Sequence, residues 1–560
     1  MNQEGSLVQD GWLSAVGMDG GVNDRGLLHT LAGSHTIRRV DVPVATMFPA
    51  LLRQLLLPVM LDALGAPRSR REWAERFEQG RFSPEETEKI THYLVDRYGG
   101  RMLLGDLDRP FGQVAGLTAL SGDAKPATLL VPSISSGNNV PIFSALSEAD
   151  HLDLTHAQAA LWLLHAQCWD TAAIKTGAVG DPQAKAGKTV GNPTGPLGQL
   201  GVIVPTGRNL YETLLLNTPI HPDGLDRTDR PQWAWDERPT SLGWKSPAGP
   251  EWSARPAGGL LDLLTFQSRR IRLLAEETEQ GMRVRQVIIC AGDRLTRTPE
   301  TDPHTAWNHL AKPKPDQPSR RPRRHISGRA AWQGLNALLA LALPVDSDGP
   351  YTSVLLRQIS DLRADELLPA DFPLGVETTA LEYGNQSAVV ENAIADTLPL
   401  PVASLTATDD WLRAALLECT DQCDQTGRAL DNLHAGLRRA SGGDPLPRDK
   451  GERPSTRFLH TVDASMRRLL AGMRTIADDY ELLERAHLAW ELTLYREASR
   501  EAQLLLGAVP ARAVVGRTEK VNGKEVVFRS GKAMGLFHKR LKEILRRAAE
   551  TRSTTGESAA

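Results

Sequence analysis

A chain of 560 residues is longer than one hydrophobic core organises, which implies roughly two to four domains. With 41% hydrophobic and 24% charged residues, its composition is ordinary for a soluble globular protein. A net charge of −3 excludes a nucleic-acid surface spread over the whole molecule and leaves only local ones.

The N-terminal Met1–Gly5 has neither a basic region nor an apolar run, so no secretion signal is expected. Leu7-Val8 and Trp12-Leu13 read as a short strand or hairpin, with Gly20-Gly21 as its turn. Residues 43–64 form an apolar-rich helix, which Arg53, Gln54, Pro58 and Asp62 interrupt too often for a bilayer span. Ser83 caps a helix that opens at Pro84 with Glu85 and Glu86 in its first turn. Thr155 to Trp169 is helical, and Lys175 to Gly207, rich in Gly, Pro and Lys, is mostly loop. Val287-Ile288-Ile289-Cys290 is a buried strand, and Pro313 to Arg324 an exposed linker or mobile loop. The run Thr378–Tyr383 reads as helix-like before Gly384.

After Pro401 the pattern becomes helical throughout. Leu412, Leu416, Cys419, Cys423, Leu430, Leu433 and Leu437 fall at helical steps, as do Leu459, Val462, Met466, Leu469, Met473 and Ile476. Further helices follow over about Asp478–Leu506 and Lys532–Ala549, and Gly442-Gly443-Asp444-Pro445 breaks the first from the second. The fold class is therefore α+β: a large mixed α/β domain over 1–398, a four-helix bundle over 399–552, and a disordered tail over 553–560.

No catalytic constellation emerges. Gly187-Lys188-Thr189 suggests a phosphate loop, but Pro182 stands where such a loop needs its first glycine, so a nucleotide-hydrolysing enzyme is the alternative rather than the leading reading. There is no Gly-x-Ser-x-Gly elbow, and His151, His156 and His165 lack a triad's partners. The cysteines Cys168, Cys290, Cys419 and Cys423 include no CxxC and no zinc-ligand spacing. No metal or cofactor is expected, and a reducing cytoplasm suits the chain.

Positive charge concentrates in two places. Lys312, Lys314, Arg320, Arg321, Arg323 and Arg324 crowd one segment, and Lys539, Arg540 and Arg547 belong to a basic C-terminal stretch. Phosphate binding with counterion release explains such concentration in a slightly acidic protein. Trp233, Trp235, Trp244, Trp252 and Trp307 suit core or partner-docking roles more than base stacking. A protein-only scaffold is the other alternative. Gly384-Asn385-Gln386-Ser387 combines a permissive backbone with uncharged donors and acceptors, a tip suited to base edges in a shallow groove.

In order and spacing these features resemble the CasA family, the large subunit of the type I-E CRISPR Cascade complex. Leu7–Leu13 is similar to the family's opening strand, and Thr206-Gly207-Arg208-Asn209-Leu210 with Thr213–Asn217 looks like its Gly-x-x-Leu…Thr-Leu-Leu-x-Asn stretch. Phe458 through Leu470 resembles a helix of its terminal bundle. The resemblance implies a wedge at Gly384, Asn385, Gln386 and Ser387, a glycine loop at Gly177 and Ala178, and an anchoring loop at Asn138, Asn139 and Phe143. The glycine loop departs from richer members in having only Gly177 and Gly180. The family's basic finger has three candidate counterparts here, Arg294, Arg297 and Lys312. By this resemblance the chain is not an enzyme. It recognises a protospacer-adjacent motif in double-stranded DNA, helps start R-loop formation and recruits a helicase-nuclease in antiviral defence. Its implied partners are target DNA, the guide-RNA ribonucleoprotein and the other Cascade subunits, with no membrane.

Overall fold

The computed structural model describes residues 5–134, 152–237, 252–279, 281–344, 346–405, 410–447, 451–476, 479–521 and 523–554. They form two compact units. One comprises Met1–Ala331, Ala340–Leu368 and Leu374–Leu398; the other comprises Trp332–Leu339, Pro369–Pro373 and Pro399–Ala560. The chain thus enters the second unit twice before Pro399, which apolar periodicity further along the chain does not reveal. Trp332 explains the first excursion: it is fully buried and its indole N–H donates to Asp463 Oδ1 at 2.8 Å, joining a large apolar face to a satisfied donor.

The first unit mixes small sheets and short helices. Leu13–Gly17 pairs antiparallel with Val22–Arg25 and Ile37–Asp41, and Gly20, at φ 86°, lies in the tight turn between the first two. The helix Met47–Leu64 is long and apolar enough to cross a membrane by length and composition, but it is mostly buried in the protein. It contains a π-helical turn, Leu52–Leu56, which holds the buried Arg53. Arg53 forms a paired contact with Asp302 (3.1 and 2.9 Å) and reaches His304 Nδ1 at 3.0 Å. Burial alone would raise the Asp302 carboxyl, but Arg53 outweighs it and holds the group below its usual range. Burial and Arg53 push His304 down to about 3. The neutral ring accepts through Nδ1, so its Nε2–H donates to Asn217 Oδ1 at 3.1 Å. Asn217 in turn donates to the carbonyls of Pro205 and Thr213, both at 2.7 Å. The Thr-Leu-Leu-Leu-Asn stretch therefore knits strand, helix and buried ion pair together.

The helix His156–Trp169 begins with a capping box between Thr155 and Gln158, and every residue from Ala159 to Trp169 is buried. A helix apolar all round has to be surrounded. It packs against two long paired strands, Arg269–Thr278 and Gly281–Ala291. Val287 to Cys290 lie in the second of these, as a buried strand.

The segment Thr378–Tyr383 is not helical. It belongs to the strand Gly375–Gly384, which pairs antiparallel with Val202–Thr206. Val376, Thr378 and Thr379 are β-branched, and pairing with a buried Val-Ile-Val strand overrides the local helical pattern. The proline- and arginine-rich segment is likewise no free linker. Arg320–Pro322 is the edge strand of a three-stranded sheet with Trp307–His309 and Gly349–Tyr351.

In the second unit Asp410–Ala440, Pro454–Met473, Tyr480–Gly507 and Ser530–Ile544 pack as four helices, the first touching each of the others. The stripe Leu412, Leu416, Cys419, Cys423, Leu430, Leu433 and Leu437 is buried throughout. On the next helix the buried stripe is Phe458, Val462, Met466, Leu470 and Met473. Leu459 and Leu469 flank it half-buried, and Ile476 lies beyond the helix end. A hairpin, Arg517–Val521 with Lys524–Phe528, comes before the fourth helix, which breaks at Leu545 and resumes as Arg546–Thr554. Ser553 and Thr554, expected in a disordered tail, end that helix.

Replacing Asp302 by alanine leaves the Arg53 charge buried without its partner. The first unit is expected to lose roughly 3–5 kcal/mol, read from urea denaturation midpoints. A loss under about 1 kcal/mol would show the pair to be energetically unimportant.

Candidate nucleic-acid interface

The tip Asn385–Ser387 joins two strands, Gly375–Gly384 and Val389–Pro399, that share a sheet. Asn385 and Gln386 are exposed. Gln386 and Ser387 hold φ of 55° and 58°, a left-handed turn that strains non-glycine residues by about 1 kcal/mol or more each. At Gly384 the exposed Glu391 carboxylate fills the space a Cβ would take, and that flexible side chain can move aside. Two contacts hold this strained tip. The Tyr383 hydroxyl donates to the Trp169 carbonyl at 2.5 Å, and the Ala172 amide donates to the Ser387 carbonyl at 2.8 Å.

Both tethers lead to the end of the buried helix, where Asp170 accepts an ion pair from Lys175 at 2.7 Å and another from Arg269. Arg269 also donates to the carbonyls of Thr171 (2.8 Å), Pro193 (2.7 Å) and Ser268 (2.7 Å). Burial alone would raise the Asp170 carboxyl, but Lys175 and Arg269 overcome it and hold the group at about 2. Beside this clasp lies a cleft of about 450 Å³ whose walls include Lys125, Thr128, Asp170 and Lys175, together with Ala388 and Val390 just past the tip. None of Tyr383, Asp170, Lys175 or Arg269 stood out in the sequence, since a tyrosine and an Asp-Arg-Lys trio scattered over more than two hundred residues have no spacing signature.

The other candidates separate. Gly177 and Ala178 are buried. The Gly177 amide donates to Gly187 O and its carbonyl accepts from Leu120 N, both at 2.8 Å, and a Cβ there would meet Ala184 and Leu120. Those two residues therefore shape the loop from within, and its exposed crest is Val179-Gly180. Gly187-Lys188-Thr189 runs from a tight turn into a short strand paired with Lys175–Thr176. With no helix N-terminus there, the phosphate cradle of a nucleotide hydrolase is missing at this place.

Arg294 is brought close to the glycine loop. Its guanidinium stacks 4.0 Å from the Trp252 ring and donates to Val190 O (2.7 Å) and Asn192 Oδ1 (3.1 Å). One terminal nitrogen makes both of these bonds, while its buried Nε has no hydrogen-bond partner among the described residues. Arg297 is exposed and pairs with Glu300 at 2.9 Å; Lys312 is exposed and forms no ion pair with the described residues. Asn138, Asn139 and Phe143 lie outside the described residues. Of the tryptophans, Trp233, Trp252 and Trp307 are buried, which favours a core role over base stacking; Trp244 lies outside the described residues.

In the second unit the three basic candidates differ. Lys539 is exposed, and Arg540 is exposed with contacts to Glu543 and Gln425, both at 3.0 Å. Arg547 is not available to phosphate: it binds Glu491 (3.0 Å), Glu418 (3.1 Å) and Glu484 (3.2 Å). Burial opposes its charge, but these carboxylates outweigh burial and raise its pKa. Glu418, His487 and Glu491 bring ligand atoms within 4.8 Å of one another. The Arg547 guanidinium already contacts both carboxylates, so an internal cation fills the role a metal would take.

Because the folded Asp170 value of about 2 lies below the ordinary carboxylate value, its stabilisation is complete above about pH 4–5 and disappears as pH falls toward 2. Asp170→Asn is therefore expected to lower the denaturation midpoint at pH 7, with a gap to wild type that closes on acidification. A gap of constant size down to pH 2 would contradict the clasp.

Comparison with known proteins follows the fold closely. The family described as CRISPR-associated protein Cse1 matches residues 6–500. A curated CasA/Cse1 CRISPR-associated protein of Thermus thermophilus is 30% identical over 272 residues, 48% of this chain and 49% of that protein, so the match spans about half that relative's length. The crystal structure of Thermobifida fusca Cse1 is 28% identical with a TM-score of 0.79, covering 97% of this chain and 98% of that one. Cse1 from Acidimicrobium ferrooxidans is 26% identical with a TM-score of 0.77, covering 98% of each. A chain of a CRISPR RNA-guided surveillance complex, 18% identical, shares the fold with a TM-score of 0.65 over 90% of this chain and 99% of that one.

Proposed function

Since the chain belongs to the CRISPR-associated Cse1 family, we propose that it is the large subunit of an RNA-guided Cascade surveillance complex in the cytoplasm. In this reading it recognises a short motif beside the target in duplex DNA, begins strand opening, and later recruits a separate helicase-nuclease. It binds and opens DNA without catalysing a reaction itself.

The observation that carries this reading is the strained, exposed Asn385-Gln386 tip held by Tyr383 and Ala172. Entering a base step requires a few kcal/mol of unstacking, and a tip free to swing would yield before the stack does. A tip already locked in its extended hairpin transmits that force. Amide side chains can accept or donate to minor-groove edges without a formal charge. Once a step is open, guide pairing replaces duplex pairing at nearly equal stability, so the tip needs only to start the exchange.

Gln386→Ala is expected to reduce permanganate reactivity of the displaced strand several-fold while leaving non-specific duplex binding within about two-fold. Unchanged reactivity would reject the wedge.

Lys539 and Arg540 are expected to contact phosphate. Changing both to glutamine should reduce the slope of log affinity against log salt by up to about 2, near 0.9 per lost phosphate contact, without altering motif preference. A slope that does not move would return them to the solvated surface.

A protein-docking role for the second unit is favoured by Val514 and Val515, which are 68% and 76% exposed. It accompanies the DNA reading, because a subunit of a larger assembly needs both kinds of surface.

A further inference from the structure

The cleft beside the Asp170 clasp encloses about 450 Å³, within the range of small-molecule sites. Two of its aliphatic wall residues, Leu129 and Ile174, are 39% and 60% exposed, so apolar surface faces the opening. Thr128 lines the same cleft and is 1% exposed, yet its hydroxyl has no hydrogen-bond partner among the described residues. A buried hydroxyl left unpaired is unfavourable, and a ligand with a polar edge relieves it. The charges on the lining cancel, Asp123 and Asp170 against Lys125 and Lys175, and burial keeps His165 neutral. The cleft therefore does not select an anion. It suits a flat, uncharged group with apolar faces and a polar rim.

Its place beside the tip says where such a group comes from. Ala388 and Val390 belong to the wall and follow Gln386 by two and four residues, which span at most about 7 and 14 Å. At about 3.4 Å per base pair, a step entered by Gln386 opens within two to four steps of the cleft. Once a pair is parted, the guide takes the target-strand base. Its former partner is left with apolar faces in water and is free to pair again.

We propose that this cleft is a binding site for one unstacked nucleobase, the first base of the displaced strand beyond the wedge. The proposal rests on the strand-opening function above. The faces of the base lie against Leu129 and Ile174, and its edge meets the Thr128 hydroxyl, which can donate or accept. Enzymes that extrude a base seat it in the same manner, between apolar side chains with hydrogen bonds at its edge. A single hydroxyl that serves as either donor or acceptor does not distinguish one base from another, so the site takes any of them. Holding the base out of the stack slows re-pairing: the wedge starts the exchange and the cleft keeps it from reversing.

The experiment uses the full-length protein assembled with its guide ribonucleoprotein, and matched duplexes carrying 2-aminopurine at each of the first few displaced-strand positions in turn. Stacking quenches this probe, and acrylamide quenches it wherever solvent reaches it, so a seated base is both bright and shielded. In the wild type one position is expected to brighten several-fold over the free duplex and to resist acrylamide several-fold better than its neighbours. Ile174→Glu places a charge on the wall at a position already 60% exposed, and should erase that shielding with the fold intact. Thr128→Val should weaken the shielding while keeping or raising the denaturation midpoint, because it removes an unpaired buried hydroxyl. Bright but equally quenched probes at every position, or shielding that survives either variant, overturn the cleft and leave the wedge standing. No brightening at any position overturns the strand-opening function and this proposal with it.

Discussion

Asp170 carries two cations on one carboxylate at the point where the buried helix ends, and the geometry of the candidate interface descends from that contact. Lys175 opens the strand that leads to the glycine loop, and Arg269 begins the long strand Arg269–Thr278. The backbone on either side of Asp170 receives the hairpin: Trp169 gives its carbonyl to Tyr383, and Ala172 gives its amide to Ser387. Burying three charges together is unfavourable unless each is satisfied, and here the surrounding carbonyls complete Arg269. The result is a rigid seat from which two exposed features, the amide tip and the loop crest, project.

This arrangement separates charge from readout. Asp170 engages Lys175 and Arg269 at the foot of the hairpin, and the tip itself presents neutral amides. In the proposed function, a neutral tip is not held by phosphates and meets base edges by shape and hydrogen bonding. Exposed cations stand elsewhere: Lys312 and the Glu300-paired Arg297 in the first unit, Lys539 and the Glu543-paired Arg540 in the second. In the proposed function, such residues supply affinity while the tip supplies selectivity, a division that follows from how phosphate and base contacts differ.

Several residues that looked like ligands are structural, for one recurring reason. Arg547 lies in a strongly basic stretch of sequence, but its neighbours in space are three glutamates from two other helices. Arg294 looks like a free finger until Trp252 and the backbone of Val190 are placed beside it. Gly177 is a glycine because Ala184 and Leu120 leave no room for a Cβ, which is a packing requirement rather than an approach to DNA. Charge density along a chain describes covalent neighbours, whereas availability depends on what long-range packing sets opposite.

Patterns with a local cause were legible in the residues alone. The capped helix after Ser83, the helix that opens at Thr155, the buried Val287–Cys290 strand and the two apolar stripes of the C-terminal unit follow from helix caps, side-chain periodicity and β-branching. The Gly384–Ser387 tip was marked by its glycine and amides for the same reason. Tertiary structure decided that Thr378–Tyr383 is a strand: Thr378 and Thr379 pair with Ile203 and Val202, about 175 residues earlier, and Val389–Pro399 lies on the other side. It alone decided that Trp332 belongs with the bundle, that the arginine-rich segment is a sheet edge, and that Tyr383 and Asp170 form the seat of the tip. Local preferences amount to tenths of a kcal/mol per residue, whereas burial of a large side chain or pairing of a buried charge is worth several times more. Where the two conflict, the contact between residues distant in sequence prevails.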